Sequence, residues 1–186
     1  NDDVQKLALQ AARYPEVDMA FALRQIAGRQ KVKHKIPSFY QNPLLQYPAQ
    51  LSLEQSSSEI TARYKAQLCS GHSMADLTGG FGIDMAFMAP QFEKAFYVER
   101  QTELCDIAAH NFGILGLSHI TVFNRDAVDF LQEMPEVDLI FLDPARRGHG
   151  GQKVFRLADC EPDVSALKST LLAKAPKVMI KLSPML

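Results

Sequence analysis

Short apolar runs alternate with helical patterns through the second half of the chain. The predicted strands are 74–77, 94–98, 120–123, 137–142 and 177–182. Between them, apolar residues spaced three and four apart predict helices over about 82–90, 102–115, 127–134 and 161–174. Short apolar strands that alternate with helices indicate a parallel sheet covered by helices on both faces. The pattern therefore predicts an α/β fold of the Rossmann-like type.

The first third of the chain has a different pattern. Apolar positions predict two helices in the first 30 or so residues, with a break at Tyr14-Pro15 and Gly28 near the end of the second helix. The basic residues of 31–35 and the aromatic residues and prolines of 36–43 predict an ordered loop. This loop is suited to touch phosphates and stack on a base, or to act as a solvated connector. We expect 1–50 to form a helical cap with this loop and 51–186 to form the main domain.

A further helix is predicted just before the first strand. Ser56 and Glu59 have the spacing of a capping box. Ile60, Tyr64 and Leu68 then form one apolar face, which we expect to cover the sheet. The serine-rich start of this helix is also suited to face a carboxylate or phosphate of a ligand.

Composition narrows the function classes. The 186 residues carry a net charge of -1 with a pI of about 6.6, so contact with nucleic acid would have to come from a local basic patch. Three widely spaced cysteines predict reduced thiols and a cytoplasmic location. No apolar run approaches the length of a membrane span, and five scattered histidines predict no metal site.

Acidic residues follow four of the predicted strands. They are Asp76, Glu99, Asp126 and Asp143. In a parallel sheet, ligands bind beyond the carboxyl ends of the strands, where these side chains converge. A carboxylate after the second strand can accept both ribose hydroxyls, one after the third can accept from the adenine amine, and one beside the glycine turn can meet an ammonium group.

The glycine turn separates two candidate ligands. Gly79, Gly80 and Gly82 follow Asp76, while position 85 is Met, so the Gly-x-Gly-x-x-Gly fingerprint of a dinucleotide site is broken. A ligand with ribose, adenine and an ammonium group is S-adenosylmethionine. The acids and the glycines together favour this cofactor over NAD.

From Ser73 to Leu182 the chain resembles the class I S-adenosylmethionine-dependent methyltransferases. The resemblance implies a Rossmann-like class I sheet and a cofactor site. The positions that it assigns to the cofactor are Asp76, Thr78, Gly80, Gly82, Glu99, Arg100, Asp126 and Ala127. Thr78 replaces the first glycine of the family's motif, as bulkier residues do in many RNA-modifying branches. Asp143-Pro144 matches the motif beside the methyl group and is the implied catalytic pair.

A narrower resemblance rests on 54–59, 143–147 and 180–186. These segments are similar to those of bacterial methyltransferases that carry a C-terminal THUMP-like domain and resemble RNA methyltransferases. Ala145 and Arg146 depart from the Pro and aromatic residue of enzymes that methylate base amino groups. Arg146 and Arg147 are therefore expected to hold a phosphate or carboxylate of the substrate, or to pair with a neighbouring acid such as Glu161 or Asp163.

The implied activity is methyl transfer to a nitrogen of an RNA base. The alternatives are a methyltransferase for a small molecule or a protein, and a non-catalytic module that binds S-adenosylmethionine. RNA is a possible partner, and the oligomeric state stays open. The family's fold continues beyond the fifth strand with a helix and a strand pair, so we expect the C-terminal strands to be truncated in this chain.

Overall fold

The protein is described by a computed structural model that covers residues 3–146, 158 and 160–182. Its main sheet has five strands, all parallel, in the spatial order β3-β2-β1-β4-β7. The strands are β1 (Gly71–Asp76), β2 (Phe92–Glu99), β3 (Ile120–Asn124), β4 (Leu139–Leu142) and β7 (Lys177–Ile180). β1 is central, and its last four residues are buried because helices cover both faces of the sheet.

Helices cover the sheet in two groups. The bounds are α1 (Val4–Leu9), α2 (Met19–Lys35), α3 (Pro37–Gln41), α4 (Gln50–Gln55), α5 (Glu59–Gln67), α6 (Ile83–Met88), α7 (Thr102–Ile114), α8 (Ala127–Glu133) and α9 (Val164–Lys174). One apolar cluster joins α2 to α7 with the sheet, and a second joins α8 and α9 with it. Each helix after a strand returns the chain to the same sheet edge, so the strand ends that carry the acids lie side by side.

The predicted α/β fold is confirmed. All five predicted strands are present, with shifted ends: the first begins at Gly71 rather than at 74, and the fourth begins at Leu139 rather than at 137. A two-residue antiparallel ribbon of β5 (Ala145–Arg146) and β6 (Cys160–Glu161) was not predicted. Runs of two residues carry too little pattern to be recognised.

The second N-terminal helix is longer than predicted. Asp18 caps its start, with its carboxylate accepting from the Phe21 amide at 3.0 Å, and the helix runs on past Gly28 to Lys35. Gly28 lies in the interior of α2. A larger residue would not fit there, because its Cβ would lie 2.4 Å from the Cβ of Tyr47. This glycine permits close packing rather than ending the helix.

The predicted loop over 31–43 is largely helical. Its basic residues form the end of α2, and Pro37 starts α3. Phe39 is only 3% exposed and packs edge-on against the Phe81 ring, so it is not available to stack on a base. The expected base-stacking role of Phe39 is therefore wrong.

The predictions for α5 also need correction. Ser58, not Ser56, caps the helix, and its hydroxyl accepts from the Thr61 amide. The predicted apolar face is exposed, with Ile60 at 82%. α5 instead buries Ala62, Lys65 and Ala66. Periodicity favoured the larger side chains, whereas two alanines and a paired lysine permit the close contact with α6.

The sequence also raised the questions of the state of the thiols, a membrane span and a metal site. Cys69, Cys105 and Cys160 are all buried free thiols. Within the described ranges, no helix combines the length and apolar content that a membrane span requires. The same residues include no group of His, Cys, Asp and Glu side chains suited to a metal ion.

Candidate functional site

The carboxyl ends of four neighbouring strands open into one cavity of about 1090 Å³. Along the sheet edge, the acids that follow these strands come in the order Asp126, Glu99, Asp76 and Asp143. All four line the cavity, together with the glycine turn between β1 and α6. The structure therefore brings together the acids that the sequence singled out.

The glycine turn is shaped by close backbone contacts. A Cβ at Gly79 would lie 2.3 Å from the Tyr97 ring, so only glycine fits there. Gly80 and Gly82 have φ values of 54° and 82°, a region that favours glycine. Gly82 starts α6, and the turn exposes backbone to the cavity without a side chain in the way.

Asp76 is buried at the centre of the cavity floor. One of its oxygens, Oδ1, accepts from the Thr78 amide at 2.9 Å and from the Thr78 hydroxyl at 3.4 Å. Burial raises the pKa of Asp76 to about 8, with the Thr78 amide opposing the shift and the nearby Asp84 and Asp143 adding to it. A cation beside Asp76 would therefore favour its ionised form.

Glu99 lies at the end of β2 and fixes the glycine turn. Its Oε2 accepts from the Gly80 amide at 2.9 Å, and its Oε1 accepts from the Gln101 amide at 2.9 Å. A carboxylate oxygen can accept more than one hydrogen bond. Glu99 is half-buried, so both oxygens can also accept from a pair of ligand hydroxyls in the cavity.

Asp126 and Ala127 form the start of α8 at the β3 side of the cavity. Asp126 caps the helix, with Oδ1 accepting from the Val128 amide at 2.8 Å, and its side chain is exposed. Arg100 lines the neighbouring wall, where its guanidinium pairs with Glu161 at 2.7 Å. This ion pair connects the end of β2 with the β5–β6 ribbon.

Asp143 is held by contacts from two distant parts of the chain. Its amide donates to the Thr78 hydroxyl at 2.6 Å, and its carboxylate pairs with the ammonium group of Lys181 after β7. Burial raises the pKa of Asp143, while Lys181 opposes the shift. Pro144, the other predicted catalytic residue, is buried beside Asp143. Lys181 was given no role from the sequence, because only the fold brings it to Asp143.

A buried polar cluster next to the cavity was also missed. The Lys65 ammonium pairs with Asp84 at 2.7 Å, and Ser57 donates to Asp84 at 2.8 Å and accepts from Lys65 at 2.9 Å. Charges are rarely buried unless they are paired, so this cluster ties α5 to α6 in one geometry. The one sign of this cluster in the sequence is Lys65, which lies outside the predicted apolar face of α5.

The two arginines predicted for the substrate are only partly described. Arg146 pairs through its backbone with Cys160 in the β5–β6 ribbon. Arg147 lies outside the described residues. Glu161, considered as a partner for either of them, forms an ion pair with Arg100.

A solved structure resembles this chain in fold and in sequence. No protein family model matches the chain. The crystal structure of a "putative methyltransferase" from Porphyromonas gingivalis W83 superposes with a TM-score of 0.80 at 34% identity, over 90% of this chain and 42% of that one. The chain has the class I methyltransferase fold. Its five parallel strands and the cavity at their carboxyl ends follow that architecture.

Two curated relatives are also similar in sequence. They are two uncharacterized S-adenosylmethionine-dependent methyltransferases of Mycobacterium tuberculosis strains, each 25% identical over 133 residues. This match covers 72% of this chain and 35% of each relative, so the chain spans about a third of the length of the curated relatives it matches. A precorrin 8W decarboxylase from Methanobacterium thermoautotrophicum shares only the fold, with a TM-score of 0.50 at 16% identity, over 77% of this chain and 69% of that one.

Proposed function

We propose that this chain binds S-adenosylmethionine and forms the catalytic part of a methyltransferase that acts on a nitrogen of an RNA base. The observation that carries the proposal is the row of four carboxylates along one cavity. These acids follow β3, β2, β1 and β4 in spatial order. The names of the relatives from Mycobacterium tuberculosis and Porphyromonas gingivalis support the same activity.

The residues of the cavity fit this cofactor from one end to the other. Exposed Asp126 is suited to the adenine amine, and Glu99 is suited to the two ribose hydroxyls. Asp76 is suited to the ammonium group, since a positive charge favours ionisation of a carboxyl whose pKa is raised. Gly80 faces open space, with no atom closer than 3.8 Å to an added Cβ, so a ligand can approach its backbone closely.

Asp143 and Pro144 form the proposed catalytic end. The cofactor supplies an electrophilic methyl group on a sulfonium. Asp143 accepts a hydrogen bond from the acceptor nitrogen, orients its lone pair and stabilises the positive charge that develops there. The contacts with Thr78 and Lys181 hold Asp143 in place for this role. The carbonyl groups of Asp143 and Pro144 can accept a second hydrogen bond from the same nitrogen.

RNA is the proposed acceptor, with Arg146 and Arg147 as proposed contacts to its phosphates. The resemblance to methyltransferases with a THUMP-like domain supports this choice. A small-molecule or protein acceptor is the second candidate, because the net charge of -1 is low for a nucleic-acid enzyme. A non-catalytic module is the third, and in that case Asp143 would be dispensable.

A transfer assay tests the proposal. The full-length protein is incubated with tritiated S-adenosylmethionine and with RNA from cells that lack the protein. Label in RNA, lost on treatment with ribonuclease, is the expected result. Label in a small-molecule or protein fraction alone would contradict the RNA acceptor. Calorimetry that detects NAD binding but no S-adenosylmethionine binding would contradict the cofactor.

A further inference from the structure

The chain's charge is divided unevenly between two regions. Residues 19–53 contain five Lys and Arg residues and no Asp or Glu, while the rest of the chain holds 15 basic and 21 acidic residues. A stretch of 35 residues without an acid is unusual in a chain of net charge -1. This stretch forms α2, α3 and the first part of α4, which ends with Glu54 and Gln55, so the asymmetry belongs to one segment of the fold.

The basic segment borders the catalytic end of the cavity. On α4, Ser52 lines the cavity, and the carbonyls of Leu53 and Glu54 accept from the Lys35 ammonium at 2.6 and 2.9 Å. Burial lowers the pKa of Lys35, and the charges of Lys181 and Lys31 lower it further. Lys181, whose charge acts on Lys35, is also the partner of Asp143.

The helix dipole does not explain the whole pattern. Lys33, His34 and Lys35 lie in the last turn of α2, where cations are favourable. Arg24 and Arg29 lie in the interior of the helix, where the dipole has no such effect. The dipole also gives no reason for the absence of acids from Pro37 to Leu53, which covers α3 and the first turn of α4.

Two of the five basic side chains of this segment are accessible to a partner. Lys31 and Lys33 are exposed, and the Lys31–Glu54 ion pair is a surface pair of small net stability. Arg29 and Lys33 both lie over the ring of Tyr40, at 4.9 and 5.9 Å from its centroid. A row of cations with an aromatic ring between them matches the chemistry of a single-stranded nucleic acid.

We infer that the C-terminal half of α2, together with Tyr40 of α3, is the docking face for the phosphate backbone of the RNA substrate. Lys31 and Lys33 contact phosphates, and the strand continues over the rim at α4 to Asp143. This inference rests on the proposed RNA acceptor. It also changes the role of the basic segment, whose cations are presented by a helix and not by a loop.

Charge reversal tests the docking face. Binding of a fluorescein-labelled, mixed-sequence RNA oligonucleotide is measured by anisotropy over a range of salt concentrations, for the wild type and for K31E/K33E. The control K94E/K168E makes the same change of net charge at exposed positions of β2 and α9, away from the cavity. We expect K31E/K33E to weaken binding at least about ten-fold at low salt, and to make the slope of log affinity against log salt shallower by about 1 to 2. The control should retain most of the wild-type affinity.

Three results would overturn the inference. They are equal losses in the two variants, wild-type binding without salt dependence, and tighter binding of DNA of the same sequence. Calorimetry with S-adenosylmethionine on the same proteins separates this inference from the proposed function. Cofactor binding and wild-type RNA binding with equal losses in K31E/K33E and the control contradict the docking face alone, and RNA binding without cofactor binding contradicts the proposed function alone.

Discussion

The two ends of the cavity are built in different ways. At the cofactor end, each acid accepts from an amide two residues further along the chain: Asp76 from Thr78, Glu99 from Gln101 and Asp126 from Val128. At the catalytic end, Asp143 is held by residues 65 and 38 positions away. The cofactor end therefore rests mainly on local turns, with the contact of Glu99 to the Gly80 amide joining two of them, whereas Asp143 is held only when β4 lies beside β1 and β7.

The largest effect is expected at the catalytic end. Replacing Asp143 with Ala removes the group that orients the acceptor, so turnover in the tritium assay should fall at least about 100-fold. Affinity for S-adenosylmethionine, measured by calorimetry, should stay nearly unchanged. Equal losses of turnover and affinity would place Asp143 at the cofactor end and break the comparison.

At the cofactor end, Glu99→Ala should mainly affect affinity. Loss of hydrogen bonds that the ribose hydroxyls donate to a charged carboxylate, worth about 1.5–3 kcal/mol, corresponds to a fall in affinity of about 10- to 100-fold by calorimetry. The matched control is Glu103→Ala, which removes an exposed carboxylate on α7 that pairs with Arg24 of α2. Similar losses in the two variants would contradict a contact between Glu99 and the ribose.

The close packing of the glycine turn gives a prediction about stability. Gly79→Ala places a Cβ 2.3 Å from the Tyr97 ring and should lower the free energy of unfolding by about 1–3 kcal/mol. Gly113→Ala, on α7, has no atom within 4 Å of the new Cβ and should raise it by about 0.5–1 kcal/mol. Urea denaturation measures both. A neutral Gly79→Ala would show that the turn can shift without cost.

The smallest effect concerns the protonation of Asp143. The Lys181 ammonium favours the carboxylate, so Lys181→Met should raise the pKa of Asp143 further, and Lys181→Arg should restore it. Titration of the Asp143 carboxyl by NMR in the cofactor-free protein measures this shift. An unchanged pKa in Lys181→Met would mean that the ion pair does not control the charge of Asp143.

The same contrast explains what could be predicted from the sequence. The strands and the acids that follow them were found because period and position within a βα unit are local signals. Lys181 and the Lys65–Asp84 pair were missed because their partners are remote in sequence. Gly28 was taken as a helix end, since its contact with Tyr47 cannot be seen without the fold.

The prediction that an apolar face of α5 covers the sheet was wrong for a related reason. Ile60 and Tyr64 have helical spacing, but the spacing alone does not say which side of the helix meets the sheet. In the observed orientation the Lys65 ammonium reaches Asp84, and the small side chains of Ala62 and Ala66 lie on the buried side.

The hydroxyl of Thr78 joins the two ends of the cavity. It donates to Asp76 and accepts from the amide of Asp143, so one side chain spans β1 and β4 at the point where cofactor and acceptor would meet. One rotamer of Thr78 thus satisfies a contact on each strand, and a glycine at position 78 would remove both of these side-chain contacts at once.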